Sequence, residues 1–154
     1  MTTFDEPIAI ELGDPEPLRQ ALLVAIDRVS DVVVRLEPQE PYREEGKGLL
    51  GRKKTIEHLV GPEVIYFADE DGSGIFSMNM FHPPGWPTAQ GTPVPAGSHL
   101  TIQDATYYSF DLDPTSSPAK AAADIMGLTA FVFAEQLGTR WKISVNELTG
   151  GLGD

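Results

Sequence analysis

Three histidines, His58, His82 and His99, supply every imidazole in this chain. Imidazole titrates near neutral pH, and beside a carboxylate it makes a general base or a metal ligand. No two of the three stand at an H-x-H or H-x-x-x-H spacing, so the sequence carries no local metal signature. His82 and His99 do bracket a proline-rich stretch, and Asp104 follows closely. If the ends of that stretch close on each other, His82, His99 and Asp104 form an acid–base or metal cluster, walled by Tyr66 or Tyr108.

Asp104 has a second claim. In the run Leu100–Leu112 it shares parity with Leu100, Ile102, Tyr108, Phe110 and Leu112. An unbroken strand would put its carboxyl on an apolar face, where it needs a hydrogen bond or a raised pKa. Such a run is long for one strand, so a bulge or break near Asp104–Ala105 that turns the group to solvent is the expectation.

Asp69, Asp71, Ser73 and Gly74 match positions 1, 3, 5 and 6 of a calcium-binding EF-hand loop. Position 12 is Met80 instead of the bidentate glutamate, and the flanks read as strands. A hairpin turn accounts for the same residues, leaving Asp69, Asp71 and Ser73 as candidates for a low-affinity calcium site only. Gly46 and Gly51 have Walker A spacing, but Arg52 stands at the lysine position and Lys53 at the hydroxyl position, which argues against nucleotide hydrolysis. With no cysteine, no G-x-S-x-G and no S-x-x-K, the familiar nucleophile templates fail. No cofactor is expected.

The elements that must position these groups are partly legible. Asp14 before Pro15 and Pro17 predicts a helix over about 15–30, with Leu18, Leu22, Ala25, Ile26 and Val29 on its inner side. Ser117–Pro118 opens a second helix running to Leu137, where Gly138 stops it; this helix is apolar almost all round. Strands are expected at Val32–Leu36, Val64–Ala68, Gly74–Phe81, Leu100–Leu112 and Trp141–Leu148, while Glu37–Thr55 holds no clear element. Strands grouped between two helices, without alternation, predict an α+β fold: a mainly antiparallel sheet of about five strands with two helices packed on it. The 154 residues suit a single domain over 1–149, followed by a flexible glycine-rich tail over 150–154.

Charge is the sharpest feature. Eleven Lys and Arg face 23 Asp and Glu, a net charge of −12. Phosphate backbones repel such a chain, so nucleic acid is not expected as its main ligand. Yet Arg43, Lys47, Arg52, Lys53 and Lys54, five of the eleven bases, crowd into one stretch. No apolar run reaches membrane-spanning length, and Met1–Leu12, with Asp5, Glu6 and Glu11, has no signal-like region; a cytoplasmic location is the default.

Together these features predict a small acidic, non-catalytic protein–protein interaction module, inhibitor-like, immunity-like or chaperone-like by analogy alone. Its partner would be another protein, a basic one suiting the acidic surface. Candidate contact residues are Met80, Phe81 and Trp86 at the Pro/Trp loop, and Arg52, Lys53 and Lys54 in the basic stretch. The apolar second helix and the last strand each offer a two-fold contact, so a homo-oligomer is among the expected states. The alternative is a small-molecule-binding protein or enzyme with a pocket under the 82–98 loop.

Overall fold

The computed structural model describes residues 4, 6–47, 51, 53–68, 71, 73–86 and 94–148. In chain order the elements are β1 (Ile8–Glu11), α1 (Glu16–Asp27), β2 (Val32–Pro38), β3 (Tyr42–Lys47), β4 (Lys53–His58), β5 (Gly61–Ala68), β6 (Gly74–Phe81), β7 (His99–Gln103), β8 (Tyr107–Asp111), α2 (Pro118–Leu137) and β9 (Arg140–Glu147). The α+β architecture and the antiparallel sheet agree with the sequence. The strand number does not: the main sheet has seven strands, in the order β1-β9-β2-β5-β6-β8-β7.

Two departures account for the difference. The four residues of β1 alternate Ile8 and Ile10 with Ala9 and Glu11, too short a run to announce itself, and they pair with β9. Leu100–Leu112 divides into β7 and β8 at a turn in which the Asp104 N–H donates to the Tyr107 carbonyl at 2.8 Å. Glu37–Thr55 is also not elementless, because β3 and β4 form a separate two-stranded hairpin there.

Period-two alternation divides the main sheet into two unlike faces. The register aligns Val34, Val64, Met78 and Phe110 in one row across β2, β5, β6 and β8. These four side chains are buried, with Leu18 and Leu22 of α1 and Ile125 and Phe133 of α2 in the same core. The next row is Arg35, Glu63, Asn79 and Ser109, on the opposite face. There Arg35 Nη1 meets Glu63 Oε1 at 2.7 Å, and the Ser109 hydroxyl donates to Asn79 Oδ1.

Local chemistry sets the helix ends. Asp14 Oδ1 accepts the Glu16 N–H at 3.2 Å, and α1 stops at Asp27, short of residue 30. Ser117 Oγ accepts the Lys120 N–H at 3.1 Å, and Gly138, at φ 76°, ends α2. One side of α2 is buried, while Phe131 on its outer side is half exposed.

The proline-rich stretch turns inward where it is described. His82, Pro83 and Trp86 are buried, and Trp86 Nε1–H donates to the Val132 carbonyl of α2 at 2.8 Å. The indole packs beside Phe133, with ring centres 5.7 Å apart. No helix is long and apolar enough to cross a membrane among the described residues.

Candidate functional site

The hairpin β3–β4 is built differently from the rest. Its register runs from Tyr42↔His58 at the root to Lys47↔Lys53 at the far end. Neither strand alternates polar with apolar, because neither face lies on a core. Arg43, Glu44 and Glu45 of β3 and Lys54, Thr55, Ile56 and Glu57 of β4 are all exposed. Among the described residues the two strands pack on each other and have no extensive contact with any other element. A lone two-stranded ribbon is marginal in water, so the arm adds little to the fold.

Its root is anchored. Tyr42 meets Trp86 edge-on at 5.3 Å and lies 5.9 Å from the His58 ring. His58 Nε2 sits 2.9 Å from Glu44 Oε2, and Arg43 pairs with Glu57 at 3.5 Å. The chain re-enters the sheet at Gly61, whose φ is +101°. A Cβ there would lie 2.2 Å from the Leu36 carbonyl oxygen and 2.9 Å from the Trp141 ring. Only glycine fits both constraints.

Between the root and the open face of the sheet lies a cleft of ≈ 270 Å³, lined by Arg35, Glu37, Tyr42, Glu57, His58 and Leu59 among others. Its charged groups have partners already: Arg35 holds Glu63 at 2.7 Å, and Glu37 lies 3.9 Å from Lys142. The cleft is suited to holding a small polar group or a partner's side chain.

The other sequence candidates do not converge. The His82 N–H bonds to the Thr106 carbonyl just beyond the Phe81↔Tyr107 pair, whereas His99 sits in the row of Asp111 and Ser77. That is five positions along β6 (Ser77 to His82), about 17 Å at the usual strand rise. The expected His82–His99–Asp104 cluster therefore does not form. His82 is buried, with its Nδ1 2.9 Å from the Pro83 carbonyl oxygen as donor and its ring 5.4 Å from Tyr108. Asp104 is exposed at the β7–β8 turn, where Oδ1 accepts the Ala105 N–H at 2.7 Å. The break re-aims it to solvent, as the length of the run predicts.

Asp71 and Ser73 are occupied with each other, Asp71 Oδ1 accepting the Ser73 N–H at 2.9 Å and the Ser73 hydroxyl at 2.6 Å. The hydroxyl bond first, then the backbone bond, hold the Asp71 carboxyl below its ordinary pKa. Asp69 and Arg52 lie outside the described residues, as does the tail over 150–154, and for Lys53 only the backbone is described. Among the described residues no group of three His, Cys, Asp or Glu is placed to hold a metal ion.

Of the expected contact residues, Met80 is fully buried at 0% exposure and Trp86 nearly so at 7%. Both face the core rather than a partner, because even positions of β6 point toward the helices and the loop folds back on α2. Phe81 is half buried on the open face, 5.9 Å from Tyr107, and Lys54 is exposed on the arm.

Comparison with known proteins finds no matching family model, curated protein or solved structure. Geometry alone must carry the functional reading.

Sequence reasoning singled out the basic stretch but not its shape. The signal was present: two six-residue runs, Tyr42–Lys47 and Lys53–His58, flank Gly48-Leu49-Leu50-Gly51-Arg52. Without an apolar stripe, that symmetry carries little weight against a plain loop.

Proposed function

We propose that this chain is a cytoplasmic, non-catalytic protein-binding module whose contact element is the β3–β4 arm. One observation carries the reading: a hairpin exposed on both faces, contributing almost nothing to the core, holds Arg43, Lys47, Lys53 and Lys54 on a body where acids predominate. Packing does not account for such an element, so what it touches outside the molecule is the role left to it. Strand length places its far end about 17 Å from the root, five residue steps away, beyond the roughly 8 Å screening length of physiological salt. Exposed Lys54 near that end, with Lys47, Arg52 and Lys53 beside it in the sequence, gives the arm a basic character unlike the acidic body.

The experiment is site-specific photo-crosslinking in the source cell, with the probe at Thr55 on the arm or at Ala123 on α2. The expected result is a discrete protein adduct from Thr55, lost in R43E/K54E and absent from Ala123. Equal labelling from both sites, or none from Thr55, rejects the arm as the contact element.

The ≈ 270 Å³ cleft favours a second reading, a small-ligand binder with its site at the arm root. A thermal-shift screen of metabolites against wild type and Tyr42→Ala separates the two, because only a cleft ligand loses its shift on that substitution.

A further inference from the structure

Both helices share one core with the Val34, Val64, Met78 and Phe110 row, so the opposite face of the main sheet carries no helix among the described residues. The arm root borders that face at Arg35 and Glu37. A sheet face left to water is expected to be polar at every second position. This one is not. Val33 is buried on it, Ile65 and Ile75 are half buried, and Phe81 and Tyr107 lie in register with ring centres 5.9 Å apart. Phe67, in register with Ile75, is 45% exposed, and Ile102, in register with Ser109, is 49% exposed.

The charges on this face are balanced. Each base described on it stands across from a carboxylate: Arg35 is 2.7 Å from Glu63, Arg140 is 3.5 Å from Glu11, and Lys142 is 3.9 Å from Glu37. Asp111, in register with His99 near the sheet edge, is the one further carboxylate among the described strand positions of the face. Four acids against three bases leave −1 here, so −11 of the chain's −12 lies elsewhere. Two copies that meet by this face bring together surfaces of almost no net charge, whose interleaved signs let each copy offer carboxylates to the other's bases.

The face is also large enough. At about 3.3 Å per residue and about 4.8 Å between strands, the seven strands cover a flat area of about 700 Å². A standard interface takes roughly 800 Å² of accessible surface from each partner.

We propose that the open face is a two-fold interface with a second copy of this chain, the two sheets stacking about 10 Å apart as in a β-sandwich. The contact completes the burial of Ile65, Ile75, Phe81 and Tyr107 and removes Phe67 and Ile102 from water, which supplies the attraction. It is separate from the arm, which leaves β2 at Pro38 and rejoins the sheet at Gly61. Salt acts on it in a distinctive direction. It screens the repulsion between two acidic bodies and spares the apolar contact, so the dimer tightens as salt rises.

Sedimentation velocity of the full chain, over a range of concentration and salt, tests the interface. F67K/I102K is the open-face variant and F131K the control on the outer side of α2. All three replaced side chains are exposed, and circular dichroism with a thermal melt verifies folding. The expected result is a discrete dimer in wild type and F131K, tighter at high salt. In F67K/I102K it weakens by at least about tenfold, because each copy brings two ammonium groups without partners into the contact. Hydroxyl-radical footprinting of wild type gives a readout that needs no variant. Oxidation of Phe67, Phe81 and Tyr107 falls as concentration rises, while oxidation of Phe131 stays constant. If F67K/I102K fails to fold, the footprint alone decides.

A chain that stays monomeric at every concentration overturns the open face as an interface. So does a dimer that is unaffected by F67K/I102K, one that weakens with salt, or one that protects Phe131 and leaves Phe67 and Tyr107 open. A discrete adduct from the Thr55 probe in any of these cases leaves the arm's role standing while the open face loses its own.

Discussion

The chain contains two neighbouring antiparallel hairpins with opposite fates. In β5–β6, Val64, Phe76, Met78 and Met80 are buried on one face of the sheet. In β3–β4, the same kind of ladder is formed by Tyr42-Arg43-Glu44-Glu45-Gly46-Lys47 and Lys53-Lys54-Thr55-Ile56-Glu57-His58, and it stands exposed. Backbone pairing is common to both. The difference is an apolar stripe at period two, which gives β5–β6 a face to bury and leaves β3–β4 with none. A ribbon without such a stripe costs conformational entropy that its own ladder barely offsets, which is why a role outside the core is the productive way to read it.

The comparison can be broken most severely in the core. Met78→Ala removes a fully buried side chain and leaves a cavity among Val64, Phe110 and the helices, with an expected loss of about 2–5 kcal/mol. Ile56→Ala, on the exposed arm, is expected to change stability by no more than about 0.5 kcal/mol. Paired urea melts measure both, and a comparable loss at Ile56 would mean that the arm is packed after all.

Next in size is the joint between the two hairpins. Gly61→Ala forces a side chain into a left-handed backbone position already blocked by the Leu36 carbonyl, with an expected cost of roughly 1–3 kcal/mol. Hydrogen exchange on this variant should show faster opening at the β4–β5 junction than at α1. Unchanged exchange would show that the junction tolerates a Cβ.

Trp86→Phe sharpens the contrast at the root of the arm. It removes the N–H that reaches the Val132 carbonyl, for about 1 kcal/mol, and weakens the edge contact to Tyr42. Exchange in β3 and β4 should rise more than exchange in β5 and β6. Uniform change across both hairpins would make Trp86 a plain core residue with no hold on the arm.

The smallest effect lies in the first turn of α1. Side-chain hydrogen bonds from Arg19, then Gln20, lower the Glu16 carboxyl to a pKa of about 2. A carboxylate depressed in the folded state contributes stability above its ordinary pKa and loses it as pH falls through the lower value. Wild type should therefore shed part of its stability between about pH 4.5 and 2, and E16Q should lack that portion. Because Glu16 is exposed, solvent screens the effect and a small shift in Tm is all that is expected. Parallel Tm-against-pH curves for the two proteins would rule the interaction out.

These effects also mark what was legible. Both helices were readable because Asp14, Ser117, Pro118 and Gly138 act within one turn of the positions they govern. β5 and β6 announced themselves by apolar strand runs joined by an Asp-Gly turn. β1 was hidden by its length, and the arm by the absence of any periodic apolar signal. Met80 and Trp86 looked like surface anchors because residue type alone says nothing about which way a side chain faces.

The sequence by itself determined where both helices start and where α2 ends, the α+β class, the break at Asp104 and the crowding of bases between Arg43 and Lys54, all properties of residues near one another along the chain. The tertiary structure alone decided that His82 and His99 sit at different ends of their strands, and that the basic stretch becomes an exposed two-stranded arm. Those outcomes follow from strand register between segments dozens of residues apart, which depends on which apolar faces can be buried together and leaves no mark in any short window.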